Sequence, residues 1–170
     1  MNEIPELQVY IDQSSDPEVE LEKIFTKYLF QNDSKDYILV SYGCGVKLCT
    51  NLFLEHDNGK FRSLTVSETS FYQQHQQSDS YVATRFGQSD SNEVVRNQLA
   101  VINLSNWKQI TPPSELAFLS QFEYPIIDMK LAGGSLVLSV ADLPDTSYET
   151  LADWFNQNER SVREIEWNLK

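Results

Sequence analysis

Few side chains in this sequence can act as nucleophiles, bases or soft metal ligands near neutral pH. There are two cysteines, Cys44 and Cys49, and two histidines, His56 and His75. A catalytic cysteine needs a base within hydrogen-bond reach, and neither histidine stands at a spacing that defines such a pair. Cys44 is therefore expected to be an inert, buried or half-buried thiol. Glu55, His56, Asp57 and His75 form no His-x-His or Glu-x-x-His pattern, and neighbours on a strand point to opposite faces, so no metal site is expected. Twenty-five acidic residues would allow paired catalytic carboxylates, but no spacing selects a pair. The residues thus predict no catalytic group, no cofactor and no metal.

Charge is the stronger signal. Thirteen Lys and Arg against 25 Asp and Glu leave a net charge of −12, and no two basic residues are adjacent. Direct binding to nucleic acid or to an anionic membrane surface is not expected, because phosphates are neutralised by clustered Lys and Arg. The acids are also unevenly placed: Glu3, Glu6, Asp12, Asp16, Glu18, Glu20 and Glu22 fall within the first 22 residues, which hold no base. Such a field steers a basic partner, and added salt weakens it. Large aromatics supply possible anchors for a partner surface. Trp107 and Trp167 are the candidates, with Phe71 and Tyr72, whereas Trp154 and Phe155 are assigned to the core.

The elements that must position these groups follow from periodicity. Leu7, Val9 and Ile11 alternate with polar residues and predict a first strand. Ser15 or Asp16, Pro17 and Glu18 make a helix start, and Leu21, Ile24, Phe25 and Tyr28 carry that helix to Asn32-Asp33-Ser34. Helix-start electrostatics already account for Glu18, Glu20 and Glu22 without a partner. From Tyr37 the period changes to two: Ile38-Leu39-Val40, Val46 to Leu54 and Phe61 to Val66 predict strands. Asn58-Gly59 and Gly133-Gly134 predict hairpin turns, with Pro125–Leu131 and Ser135–Ala141 as the strands flanking the second. Tyr81–Phe86 and Gln98–Leu104 read as further strands. The Gln- and Ser-rich segment 67–80 reads as a long exposed loop. Thr111-Pro112-Pro113 opens a short helical run to Phe118, and Thr146 or Ser147 caps a C-terminal helix that Val162, Ile165 and Leu169 continue.

Between two of these strands lies Tyr37-Ile38-Leu39-Val40-Ser41-Tyr42-Gly43-Cys44-Gly45, an apolar strand entering Gly-x-Gly. Over these nine residues the chain superficially resembles the first motif of S-adenosylmethionine-dependent methyltransferases, which would imply that the Gly43-Cys44-Gly45 turn lets a ligand approach its backbone. Here Ser41 or Tyr42 stands where that motif has its acid, Lys47 replaces the third glycine, and a strand follows instead of a helix. A bulge or bend between antiparallel strands is the expected role of the turn. Cys44 and Cys49, five apart on one strand, would face opposite sides, so no bridge is expected between them. Without a disulfide framework or a leader sequence, a reducing cytoplasm is the expected compartment.

Together these readings predict a single α+β domain over 1–170. Its mainly antiparallel sheet of about six to eight strands is packed by an N-terminal and a C-terminal helix. A closed or half-closed β-barrel with flanking helices is the alternative. The expected function is that of a small acidic, non-enzymatic binding protein, such as an immunity protein, inhibitor or phage-type antagonist. It would occupy a basic surface of a partner protein through the N-terminal acids and the two tryptophans. A subunit of a larger assembly, or a small-molecule or enzymatic domain using the glycine turn with Tyr42 and Cys44, are the other classes.

Overall fold

The computed structural model describes residues 4–89 and 94–170. Antiparallel strands dominate it, in three sheets, and the chain divides into two compact units, Met1–Ser70 and Phe71–Lys170.

The N-terminal unit begins with two helices. Helix α1 (Pro5–Asp12) replaces the expected first strand. Proline at the first turn presets the helical φ, and Leu7 and Ile11, four apart, are buried on one face while Val9 is exposed. Alternation of three apolar residues had mimicked a strand. Helix α2 (Pro17–Glu22) starts as expected, with the Asp16 side chain accepting from the Val19 N–H at 3.3 Å. It ends after six residues, because Phe25, Thr26, Tyr28 and Phe30 belong to strand β1 (Phe25–Asn32). Aromatic and β-branched residues favour that state. Asp33 and Ser34, read as a helix end, take φ of 48° and 65° and turn β1 into β2 (Lys35–Tyr42).

Strands β3 (Cys49–Asp57) and β4 (Lys60–Thr69) follow, joined by Asn58 and Gly59 at φ 49° and 78°, the hairpin read from the sequence. The sheet order is β1-β2-β3-β4. Leu7 of α1 packs with Val40, Tyr42, Leu52 and Leu54 on one face of this sheet. Leu39 and Phe53, on the opposite face, are also buried. Burial on both faces is why Ile38-Leu39-Val40 and Leu52-Phe53-Leu54 read as continuous apolar runs.

In the C-terminal unit, β5 (Phe71–Gln77), β6 (Tyr81–Ser89), β7 (Val95–Asn103) and β8 (Lys108–Gln109) form one sheet in that order. Strand β5 overturns the exposed loop expected at 67–80. Its backbone pairs with β6, placing Tyr72 opposite Phe86 and Gln76 opposite Ala83, and residues 72–76 are half-buried. A polar composition forbids a strand in an apolar core, but an edge strand needs chiefly a backbone partner.

The third sheet is ordered β11-β10-β9, from β9 (Ile126–Ala132), β10 (Ser135–Ala141) and β11 (Val162–Asn168). Gly133 and Gly134, at φ 58° and 86°, form the expected second hairpin. Ala83, Leu99 and Val101 of one sheet share a core with Met129, Leu136, Leu138, Val140 and Trp167 of the other, and Leu119 of the 3-10 helix Ser114–Ser120 joins them. Helix α3 (Tyr148–Phe155) is capped by Ser147 and buries Leu151 and Trp154. The helix does not continue: Ile165 and Trp167 pair with Leu138 and Leu136 as strand β11. Ile165, Trp167 and Leu169 thus follow period two, where Val162, Ile165 and Leu169 had suggested a helical period.

The single sheet of six to eight strands is corrected to eleven strands in three sheets among the described residues. No sheet there closes into a barrel, since each ends in two edge strands.

Candidate functional site

One end of the first sheet gathers α1, α2 and the connection between β2 and β3. Residues 43–48 of that connection are not a strand but an exposed loop closed by a Cys44–Cys49 disulfide with a Cα–Cα distance of 4.1 Å. The bridge corrects two expectations, the unbridged pair and the inert thiol of Cys44. Opposite facing holds only along a continuous strand, and the chain here folds back, with the Gly45 N–H donating to the Leu48 carbonyl at 2.8 Å. The cytoplasmic expectation also loses the premise that the cysteines are unpaired. A bridged sulfur is no nucleophile, and a loop joining two antiparallel strands is not the strand-to-helix turn of the methyltransferase motif.

Ring closure holds apolar side chains in solvent. Val46 is 102% exposed and Leu48 40%, and Phe25, paired with Ser41 at the same end of the sheet, is 64% exposed. Tyr10 fixes the base of the loop. Gly43 sits at φ 59°, a left-handed conformation suited to glycine, and a Cβ there would lie 3.4 Å from the Tyr10 ring. That ring also packs on Tyr42, with centroids 4.9 Å apart. The Tyr10 hydroxyl donates to Glu20 Oε2, and Lys23 Nζ donates to Glu20 Oε1 at 2.8 Å. Hydrogen bonds from Lys23 and then Tyr10 hold the Glu20 carboxyl below the usual carboxylate range, and the bond to Glu20 pushes the Tyr10 phenol up. Tyr10, Gln13, Ser14, Ser15 and Glu20 line a cleft of about 380 Å³ beside these contacts.

The acids singled out in the sequence divide by use. Glu6 accepts from the Ser63 hydroxyl at 2.8 Å, Asp12 from the Gln8 amide at 2.7 Å, Asp16 caps α2, and Glu20 is held by Tyr10 and Lys23. Glu18 and Glu22 are exposed on α2. Glu3 lies outside the described residues. Trp107 and Trp167 are 8% and 4% exposed, Trp167 within the core of the C-terminal unit, so neither presents its ring to solvent. Trp154 is buried, as assigned from the sequence, whereas Phe155 is only half-buried.

The remaining polar clusters are held chiefly by contacts within each cluster. Buried Glu55 accepts from the Tyr37 hydroxyl at 3.0 Å and from Arg62 at 2.8 Å, with Lys35 Nζ at 3.5 Å. Burial, with the bond to Glu55, pushes the Tyr37 phenol up to about 12. His56 lies 3.6 Å from Asp36 and stacks on Phe61, so Glu55 and His56 diverge as expected. His75 Nδ1 is 2.8 Å from the Tyr72 hydroxyl. Among the described residues no three His, Cys, Asp or Glu converge. In the C-terminal unit, Arg85 donates to the Ile126 and Ile127 carbonyls at the wall of a cleft of about 200 Å³ shared with Asn97 and Phe155. No described helix is long and apolar enough to cross a membrane.

Sequence reasoning missed Tyr10, Lys23 and the Val46-Lys47-Leu48 tip. A readable signal for the tip was Cys44-Gly45-Val46-Lys47-Leu48-Cys49, a glycine-containing interval short enough to close as a ring. Tyr10 gave no such signal, because its role depends on α1 being a helix. No protein-family description, curated protein or solved structure matches the chain.

Proposed function

We propose that this chain is a small acidic, non-enzymatic protein-binding module, of the immunity-protein, inhibitor or antagonist class, that occupies a basic surface of a partner protein. The observation that carries this reading is the disulfide-closed loop, which holds Val46 fully exposed at the end of the first sheet. Holding an apolar side chain in water is unfavourable unless another surface covers it. A ring that is already ordered loses little further entropy on binding. Next to the loop base, Glu20 belongs to α2, whose exposed Glu18 and Glu22 supply negative charge. An apolar tip beside acids suits a partner with an apolar pocket in a basic rim, where charge sets the encounter rate and buried apolar area sets the lifetime.

The test is capture of partners from the native lysate by the tagged chain, at low and then moderate salt, with mass spectrometry of what is retained. Wild type is compared with Val46→Asp and with Glu18→Lys/Glu22→Lys. One stoichiometric basic protein, lost as salt rises and lost with each variant, is the expected result. A retained set indifferent to salt and to both variants, or none at all, would overturn the reading.

A further inference from the structure

We propose that the cleft between α1 and α2 receives a guanidinium group, the side chain of an arginine on the partner's surface. This deepens the binding reading above and rests on it for the source of the arginine.

Each of the five residues lining the cleft, Tyr10, Gln13, Ser14, Ser15 and Glu20, contributes a hydrogen-bond acceptor, and none carries a positive charge. Glu20 is the anionic centre. Each carboxylate oxygen has about two lone-pair directions, and one on each is taken, by Tyr10 at Oε2 and by Lys23 at Oε1. One direction on each oxygen remains, which is the acceptor pair that a forked guanidinium takes in bidentate fashion.

Lys23 marks the preference. Its ammonium, on an exposed side chain, reaches back three residues to sit 2.8 Å from Oε1, a cation supplied by the chain itself. The cleft of about 380 Å³ is open to solvent, and its five polar lining residues exceed what one ammonium can contact. Five N–H donors in a plane can reach several walls at once. A divalent cation fits less well, since Glu20 is the one carboxylate lining the cleft and hard cations gather several charged oxygens. The net charge of −12 concentrates cations near such a site.

The test titrates amide-capped arginine into the 15N-labelled full chain and follows backbone amide shifts, with capped citrulline as the uncharged isostere and free arginine as a second arm. Saturable shifts at Gln13, Ser14, Ser15 and Glu20 are expected with capped arginine and not with citrulline. Glu20→Gln retains an acceptor for Tyr10 and should weaken binding about tenfold, the value of one hydrogen bond to a charged group. Lys23→Ala vacates Oε1 and should tighten binding severalfold, an increase that a misfolded variant could not produce. An equal response to citrulline, shifts without saturation, or indifference to both variants would overturn the guanidinium site. Saturation by free arginine with the capped form silent would overturn the partner side chain as its source. The probe is a small molecule, so these results stand apart from the capture experiment: loss of a partner on Glu18→Lys/Glu22→Lys with no arginine response would remove the cleft and keep the binding surface.

Discussion

Asn97 provides the sharpest test of the C-terminal unit. The residue is 4% exposed, and every polar atom of its side chain is engaged. Oδ1 accepts from the Ile126 N–H at 2.7 Å, while Nδ2 donates to the Phe86 carbonyl at 3.1 Å and to Gln73 Oε1 at 2.6 Å. One amide thus ties β6, β5 and the entry to β9. Asn97→Ala leaves the Ile126 N–H and the Phe86 carbonyl without these partners, at about 1–3 kcal/mol each, while half-buried Gln73 can turn to water. A loss of about 2–6 kcal/mol follows. Asn97→Asp retains the acceptor for Ile126, and Gln73 can flip its amide to donate. The Phe86 carbonyl, however, then faces a carboxylate unless the acid is protonated. That pushes the folded-state pKa of the new acid above its unfolded value. Stability relative to wild type is therefore greatest below the unfolded pKa and falls as pH rises through the folded one. All three tryptophans lie in this unit, so urea unfolding followed by tryptophan fluorescence reports on it. A change under about 1 kcal/mol for Asn97→Ala, or a pH-independent difference for Asn97→Asp, would refute the argument.

Three further outcomes are expected. Reduction of Cys44–Cys49, or its double replacement by serine, should lower the stability of the N-terminal unit by about 2 kcal/mol from the entropy of a loop closed over a separation of five. It should also speed tryptic cleavage after Lys47, with equal cleavage rates in the two redox states counting against the bridge. The Glu20 carboxyl should titrate below an ordinary glutamate in 13C spectra and move up in Lys23→Ala. Because its folded pKa is depressed, its stabilising contribution is present above the unfolded pKa and fades as pH falls through the folded one. Tyr37 should ionise near pH 12, read as an absorbance step at 295 nm that Tyr37→Phe removes. Its raised pKa means that stability holds up to the unfolded value near 10 and declines between there and 12. A step near 10 in the wild-type minus Tyr37→Phe difference would contradict its burial.

Where local chemistry decides the structure, the sequence is legible. Asn58-Gly59 and Gly133-Gly134 each adopt the positive φ that a tight hairpin demands. Ser147 and Asp16 cap the helices they precede. Where a partner strand decides, the reading failed. Nothing in Phe71–Gln77 shows that β6 will pair with it, and Phe25–Asn32 and Val162–Asn168 read as helix until β2 and β10 supply a ladder. The candidate site was half legible for the same reason. Its acids and its cysteines were visible, but Tyr10 joins Gly43 and Glu20 through α1, and the strand assigned there had already put that side chain elsewhere.

The division of labour among the acids decides which charge reversal is informative. A run of seven acids looks like a field for a partner, yet Glu6, Asp12, Asp16 and Glu20 each accept a hydrogen bond from within the unit. Reversing Glu20 removes charge and also the anchor of Tyr10 beneath Gly43, so a loss of binding there would not separate steering from loop shape. Glu18 and Glu22 lie on the exposed surface of α2, and their reversal alters the field while Tyr10, Lys23 and the ring keep their contacts. For Glu18→Lys/Glu22→Lys the association rate with a basic partner should fall about tenfold or more at low salt. The difference should close as the screening length shrinks to about 3 Å near 1 M salt. The dissociation rate, set by whatever covers Val46 and Leu48, should stay near that of wild type. Val46→Asp should do the reverse, speeding dissociation with a smaller effect on association. If both variants changed the same rate constant, the acidic helix and the apolar ring would not be separate steering and holding elements.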